Sequence, residues 1–393
     1  MKIFLDTLSK TPTVSLGSQA LAVESMHVMS RVIPGVQFVM LSPCPEVDRH
    51  YLKNEPYNVE LVQRSKSQIG TVANMLTIIK GVDAVLSVLG DGYITTHPHK
   101  LIQKSFFFKK PAVLFPSSMG PFPGGFKRNL SLLGLSKFDV VMARDTVTYQ
   151  YFQDLKIKNI KLLPDIAFAL DPAPESRISE ILSIEKLPVG RQYIGLNVSQ
   201  LLNRLFREKG LNYIDFMKNL IISLKQYDCH IILIPHQIYP AFLKNESLEG
   251  QMFGGDDRIA VQEILKNFNG LQNCSPILGD YNAREMKGII GKCEIMINGR
   301  LHSTVGALSM CVPSVIMQYS HKAGGVMDHL GMKNCVWDIN DSVESLLKII
   351  DMIWRDRSEI KNRLSQQMVE VRRDVYKTGE IFLDVIKSYG KSI

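Results

Sequence analysis

Short apolar runs rich in Val, Ile and Leu recur along this chain, each closed by Gly, Pro or polar residues. They alternate with stretches whose apolar positions follow a helical period. The runs read as buried strands and the stretches as amphipathic helices, so the pattern predicts an α/β protein with mostly parallel sheets. Strands are expected at 2–5, 36–41, 83–89, 112–115 and 139–143, and again at 193–198, 230–235, 294–298 and 313–318. Helices are expected near 212–226, 258–268, 282–291 and 302–311, between the later strands. Beyond 341 the strand pattern stops and long helical segments run into a basic tail.

Between the two strand sets lies DPAPESRISEILSIEKLPVGRQ (171–192), whose prolines and polar start mark a linker. The expected organisation is an N-terminal domain over 1–171, a linker over 172–190, a C-terminal domain over 191–375 and a helical tail over 376–393 that crosses back. A length of 393 residues agrees with two domains, each with its own core. With 45% apolar and 21% charged residues the composition is ordinary globular and excludes a disordered or collagen-like chain. The net charge of +8 lies mostly in the first half, which suits an anionic small substrate, nucleic acid or an acidic membrane surface alike. Six scattered cysteines without CxxC spacing read as reduced core residues. The start MKIFLDTLSK is too short in apolar residues for a signal-peptide core, and no stretch approaches a membrane span. A cytoplasmic protein is expected.

In open α/β sheets ligands gather at the carboxyl ends of the strands. The turn LGDGYITTHPHK (89–100) places Gly90, Asp91 and Gly92 where a backbone could approach a ligand closely; an ordinary βα turn is the equal alternative. FPSSMGPFPGG (115–125) is a second such turn. Arg144 ends a strand and Asp145 can cap the helix that follows. Either Arg144 faces a ligand, or it pairs with Asp145 or Asp165.

EIMINGRLHSTVGALSM (294–309) is more informative. A strand ends at Asn298, Gly299 bends the chain, and Arg300, Leu301, His302 and Ser303 lead into a helix whose free N–H groups and dipole favour an anion. The alternative is a plain helix start in which His302 caps or packs. His236 follows one strand, and His321 and Lys322 follow another. Such a cluster of Arg, His and Lys suits an anionic substrate and proton transfer.

Absences narrow the choice. The chain has no P-loop, no GxGxxG after a first strand, no HExxH, no GxSxG, and no metal-ligand spacing. Its basic residues are not interleaved with aromatics as in RNA binders, so no nucleic-acid partner is expected.

The segment INGRLHSTVGALSMCVPSVIMQYSHKAGGVMDHLGM (297–332) resembles the C-terminal signature of the polysaccharide pyruvyl transferases. VLSVLGDGYI (85–94), PSSMGPF (116–122), ARD (143–145), LPDIAF (163–168) and IILIPH (231–236) occur in that family's order. The resemblance implies two Rossmann-like domains facing a cleft, as in GT-B glycosyltransferases, and transfer of the enolpyruvyl unit of phosphoenolpyruvate to sugar hydroxyls as a ketal. Carried over by position, the family's functional residues fall on Arg144, His302 and Lys322, with Arg300 and His236 in matching motifs. Leu301, Ser303, His321, Asn197, Gly90, Asp91 and Gly92 join them as expected substrate contacts. SLGSQALAVESM (15–26) departs from the family's acidic GDEA-type pattern.

The expectation is therefore a pyruvyl transferase with phosphoenolpyruvate as co-substrate and no metal or other cofactor. Its acceptor would be a glycan, free or lipid-linked, met at the inner face of the membrane. His302 would act as acid/base, and Arg144, Arg300 and Lys322 would hold phosphate and carboxylate. A GT-B nucleotide-sugar glycosyltransferase and a non-catalytic sugar or anion-binding protein are the alternatives.

Overall fold

The computed structural model describes residues 1–7, 15–88, 90, 110–122, 124–240, 255–267, 272–319 and 321–391. The chain divides into two compact units. One comprises Met1–Thr13, Ser18–Leu170 and Val369–Ile393, the other Val14–Gly17 and Asp171–Met368.

In the first unit, strands β1 (Lys2–Asp6), β2 (Gln37–Ser42), β3 (Asn58–Gln63), β4 (Ala84–Ser87), β5 (Ala112–Ser117), β6 (Val140–Ala143) and β7 (Ile160–Leu162) form one parallel sheet. Their order is β3-β2-β1-β4-β5-β6-β7. The central strands are buried on both faces. Phe4, Val85, Leu114 and Val141 pack against Ile78 and Ile79 of the helix Gln68–Gly81, Leu135 of Phe126–Leu135, and Phe152 of Thr146–Asp154. Each such fully buried side chain contributes about 1.5–3 kcal/mol.

In the second unit, strands β8 (Tyr193–Asn197), β9 (His230–Ile234), β10 (Cys274–Pro276), β11 (Cys293–Asn298), β12 (Ser314–Gln318) and β13 (Val336–Asp338) form another all-parallel sheet, ordered β10-β9-β8-β11-β12-β13. Helices Tyr213–Leu224, Asp257–Lys266, Ala283–Ile290 and Leu301–Ser309 connect successive strands.

Each strand read from the sequence is present. The four that the sequence did not announce, β3, β7, β10 and β13, are the outer strands of the two sheets. Outer strands are buried on fewer sides, so they lack a continuous apolar run: β3 has only exposed and half-buried positions, and the other three span only three residues each.

Residues 172–190, read as a linker, contain the helix Glu175–Ile184. Its Ile178 and Ile181 are fully buried in the second unit, and Gly288 makes room for Ile178, since a Cβ there would lie 2.3 Å from the isoleucine Cδ1. The helix Val343–Ser388 contributes to both units, the change falling between Met368 and Val369. In the first unit its Phe382 is fully buried edge-on against Phe115, with centroids 6.3 Å apart. All six cysteines are free thiols. Among the described residues no helix is long and apolar enough to cross a membrane.

Candidate active site

The second sheet changes direction at β8. The chain moves outward from β8 to β9 and β10, then returns on the other side as β11, β12 and β13. The crevice at the carboxyl ends of β8 and β11 is thus the topological switch point, where such sheets bind ligands. Asn197 closes β8 there and is fully buried: its Nδ2 donates to Ile234 O at the end of β9 (2.8 Å), and its Oδ1 accepts from Gly299 N after β11 (3.1 Å). One side chain thereby ties three strand ends together. Glycine at 299 lets the turn approach closely: a Cβ would lie 2.7 Å from Leu202 Cδ1, which would have to shift. Ser303 is fully buried, and its hydroxyl donates to Asn298 Oδ1 (2.7 Å). Asn197 and Ser303, expected as substrate contacts, are held inside the protein in this structure; a polar side chain at a buried strand end is drawn to the nearest backbone and amide partners.

Arg300 occupies the N-cap of the helix Leu301–Ser309 in an extended conformation, and its side chain makes no cap hydrogen bond. Its guanidinium lies side-on to Asp257, Nε to Oδ2 at 2.8 Å and Nη2 to Oδ1 at 2.6 Å. Burial works against the Arg300 charge, and Asp257 more than compensates, so its pKa is raised. His236, one residue past Pro235, is almost fully buried. Burial, and secondly the charges of His302 and Arg300, push its pKa well below the ordinary histidine value, so it is neutral near pH 7.

His302 is half-buried in the first turn of the helix, beside the half-buried Leu301. Gly17, in the first turn of the helix Leu16–Val32, lies directly against its imidazole: a Cβ at 17 would sit 2.3 Å from His302 Nδ1. Leu16 N donates to His236 O (3.3 Å), and Ser15 bridges Gln237. Segment 15–17 therefore packs over the turn after β9 and over His302. Among the described residues, no cluster of His, Cys, Asp and Glu has the make-up of a metal centre.

A cation, two imidazoles and a helix start at this edge suit an anionic ligand and proton transfer, and comparison with known proteins gives the chemistry a family. Residues 16–321 match the polysaccharide pyruvyl transferase family profile. The chain belongs to that family. It is also similar to the amylovoran biosynthesis protein AmsJ of Erwinia amylovora, 20% identical over 79% of this chain and 74% of that one. Among solved structures it resembles UDP-GlcNAc 2-epimerases from Methanocaldococcus jannaschii (TM-score 0.59, 12% identity, 90% and 92% of the two chains) and Neisseria meningitidis (0.60, 10%, 98% and 99%). It resembles in the same way a UGT transferase from Siraitia grosvenorii (0.57, 11%, 98% and 99%). These likenesses give the fold, GT-B-like with two parallel sheets.

The other expected residues of this family member are placed as follows. His321 and Lys322 open the helix His321–His329 after β12; their side chains lie outside the described residues. Gly90 is buried with a φ of +55°, and its carbonyl accepts from Ser118 N (2.8 Å); Asp91 and Gly92 lie outside the described residues. For Arg144 the structure has the ion pair: the side chain is fully buried, with Nη1 2.6 Å from Asp165 Oδ2 and Nε 2.8 Å from Ser118 Oγ. Asp145 caps the next helix through Thr148 N. Asp257 and Gly17 were not singled out from the sequence. The doubled acid of GGDDR and a glycine ahead of a helical stretch were the only signals.

Proposed function

We propose that this pyruvyl transferase moves the enolpyruvyl unit of phosphoenolpyruvate onto two hydroxyls of a sugar residue and releases inorganic phosphate. The supporting observation is the convergence of Arg300, His302 and neutral His236 at the switch point of the second sheet. His302 delivers a proton to the methylene carbon of the donor, leaving an oxocarbenium-like centre at C2. A sugar hydroxyl adds to C2 and gives up its proton to a neutral imidazole. The C2–O bond to phosphate then breaks, and a second hydroxyl closes the cyclic ketal, its proton passing to the departing phosphate. Protons balance, and no electron is transferred to or from the substrates, so positioned acid/base groups suffice and no further cofactor is invoked.

Arg300 and Lys322 hold the phosphate and carboxylate. Arg144 supports the first unit's strand ends through Asp165. The acceptor is a glycan or its lipid-linked precursor, reached from the cytoplasmic side of the membrane. The test is phosphate release from phosphoenolpyruvate against galactosyl, mannosyl and glucosyl acceptors, with the ketal methyl group followed by NMR. Turnover of UDP or CMP sugars instead makes the protein a glycosyltransferase. Thermal protection without turnover by any donor makes it a binding protein.

A further inference from the structure

Asp257 accepts hydrogen bonds from five donors. Oδ1 takes Gln200 N (2.9 Å) and Arg300 Nη2 (2.6 Å); Oδ2 takes His236 N (3.0 Å), Gln237 N (2.8 Å) and Arg300 Nε (2.8 Å). The donors follow β8, β9 and β11, so one fully buried carboxylate at the start of the helix Asp257–Lys266 joins three strand ends of the site.

Its charge matters as well as its shape. Nε and Nη2 of Arg300 are both taken, whereas Nη1 carries no hydrogen bond among the described residues and the side chain is 14% exposed. A guanidinium gripped side-on by a carboxylate cannot swing freely, and as a neutral pair it draws an anion less strongly than a bare cation would.

Resting on the donor reading above, we infer that Asp257 is a positioning residue. It fixes Arg300 and the 236–237 turn in one pose and keeps Arg300 from collapsing onto the donor's phosphate.

Asp257→Asn keeps the volume and removes the charge. In phosphate release from phosphoenolpyruvate its kcat is expected to fall roughly 10- to 100-fold, the cost of a misplaced reacting group. Inhibition by inorganic phosphate is expected to stay unchanged or tighten, because phosphate becomes the counter-ion of Arg300. Equal losses in kcat and phosphate affinity would assign Asp257 a merely structural role and overturn the proposal, as would an unchanged kcat. Asp257→Glu keeps the charge on a longer stem and carries the test if the Asn variant does not fold: retained phosphate inhibition with lowered kcat is expected, and wild-type kcat overturns the idea. In Asp257→Asn/Arg300→Gln phosphate inhibition should disappear; its persistence shows that phosphate does not use Arg300. Thermal protection by inorganic phosphate needs no turnover. Weaker protection of Asp257→Asn than of wild type overturns the positioning role, whereas a wild-type protein inactive with phosphoenolpyruvate overturns only the donor reading.

Discussion

Two arginines in this protein share one local pattern and end in different surroundings. Arg144 follows β6 and precedes a helix; Arg300 follows β11 and Gly299 and likewise precedes a helix. In the first unit the partner is Asp165, just past the neighbouring strand β7, and both side chains are wholly buried. In the second unit the partner is Asp257 at the start of a helix, and Arg300 stays 14% exposed beside two histidines. A wholly buried pair presents a closed edge and holds strand ends together, while a partly exposed pair presents an open edge that can also meet a ligand. Position after a strand is therefore a weak sign of function; what neighbours the guanidinium decides.

The largest expected effect lies at the open edge. His302→Ala should lower kcat by about 10² to 10⁴, the usual value of a positioned proton-transfer group, with little change in stability. Steady-state rates at saturating donor check this, and a near-normal kcat would hand the role to His236. At the closed edge, Arg144→Ala should cost stability instead, about 3–5 kcal/mol, because Asp165 is left buried without its counter-ion. Urea denaturation measures it, and a loss below about 1 kcal/mol would break the contrast.

Arg300→Ala leaves Asp257 three backbone donors and should be tolerated better by the fold, yet weaken phosphoenolpyruvate binding by about 2–5 kcal/mol. Arg300→Lys should weaken it too, since a lysine cannot copy side-on contacts. Donor titration at fixed salt reads both, and wild-type affinity in both would remove Arg300 from the site. Gly17→Ala should displace His302 and lower kcat about tenfold or more, with a small shift in Tm.

The smallest effect concerns pH. His236 has a lower pKa folded than unfolded, so the unfolded chain takes up its proton first as pH falls through about 6.5. Stability should drop there by up to about 1.4 kcal/mol per pH unit from this group, and be fully present above that pH. His230, also depressed by burial, adds to the slope, so the comparison is between wild type and His236→Gln: identical pH slopes would mean that His236 is not held neutral.

The positions of the central strands were open to reading because each is buried on both faces and so must be a continuous apolar run. HIILI and EIMIN leave no other fit. The helix start at RLHS was legible as well, since strand, glycine and small-residue helix follow within a few positions. Nothing local could join Asp257 to Arg300, forty-three residues apart, or Gly17 to His302. Nor could a sequence reading say that Asn197 and Ser303 turn inward while Arg300 keeps an open edge.

The sequence by itself determined the alternation of strands and helices, and through its motifs the family. These depend on local periodicity and on residues close together in the chain. Only the tertiary structure decided which cations are sealed in ion pairs, which imidazole is kept neutral and which glycine bears on a catalytic candidate. Burial, charge pairing and steric contact act through space, between groups that the chain brings together only when its strands are laid side by side.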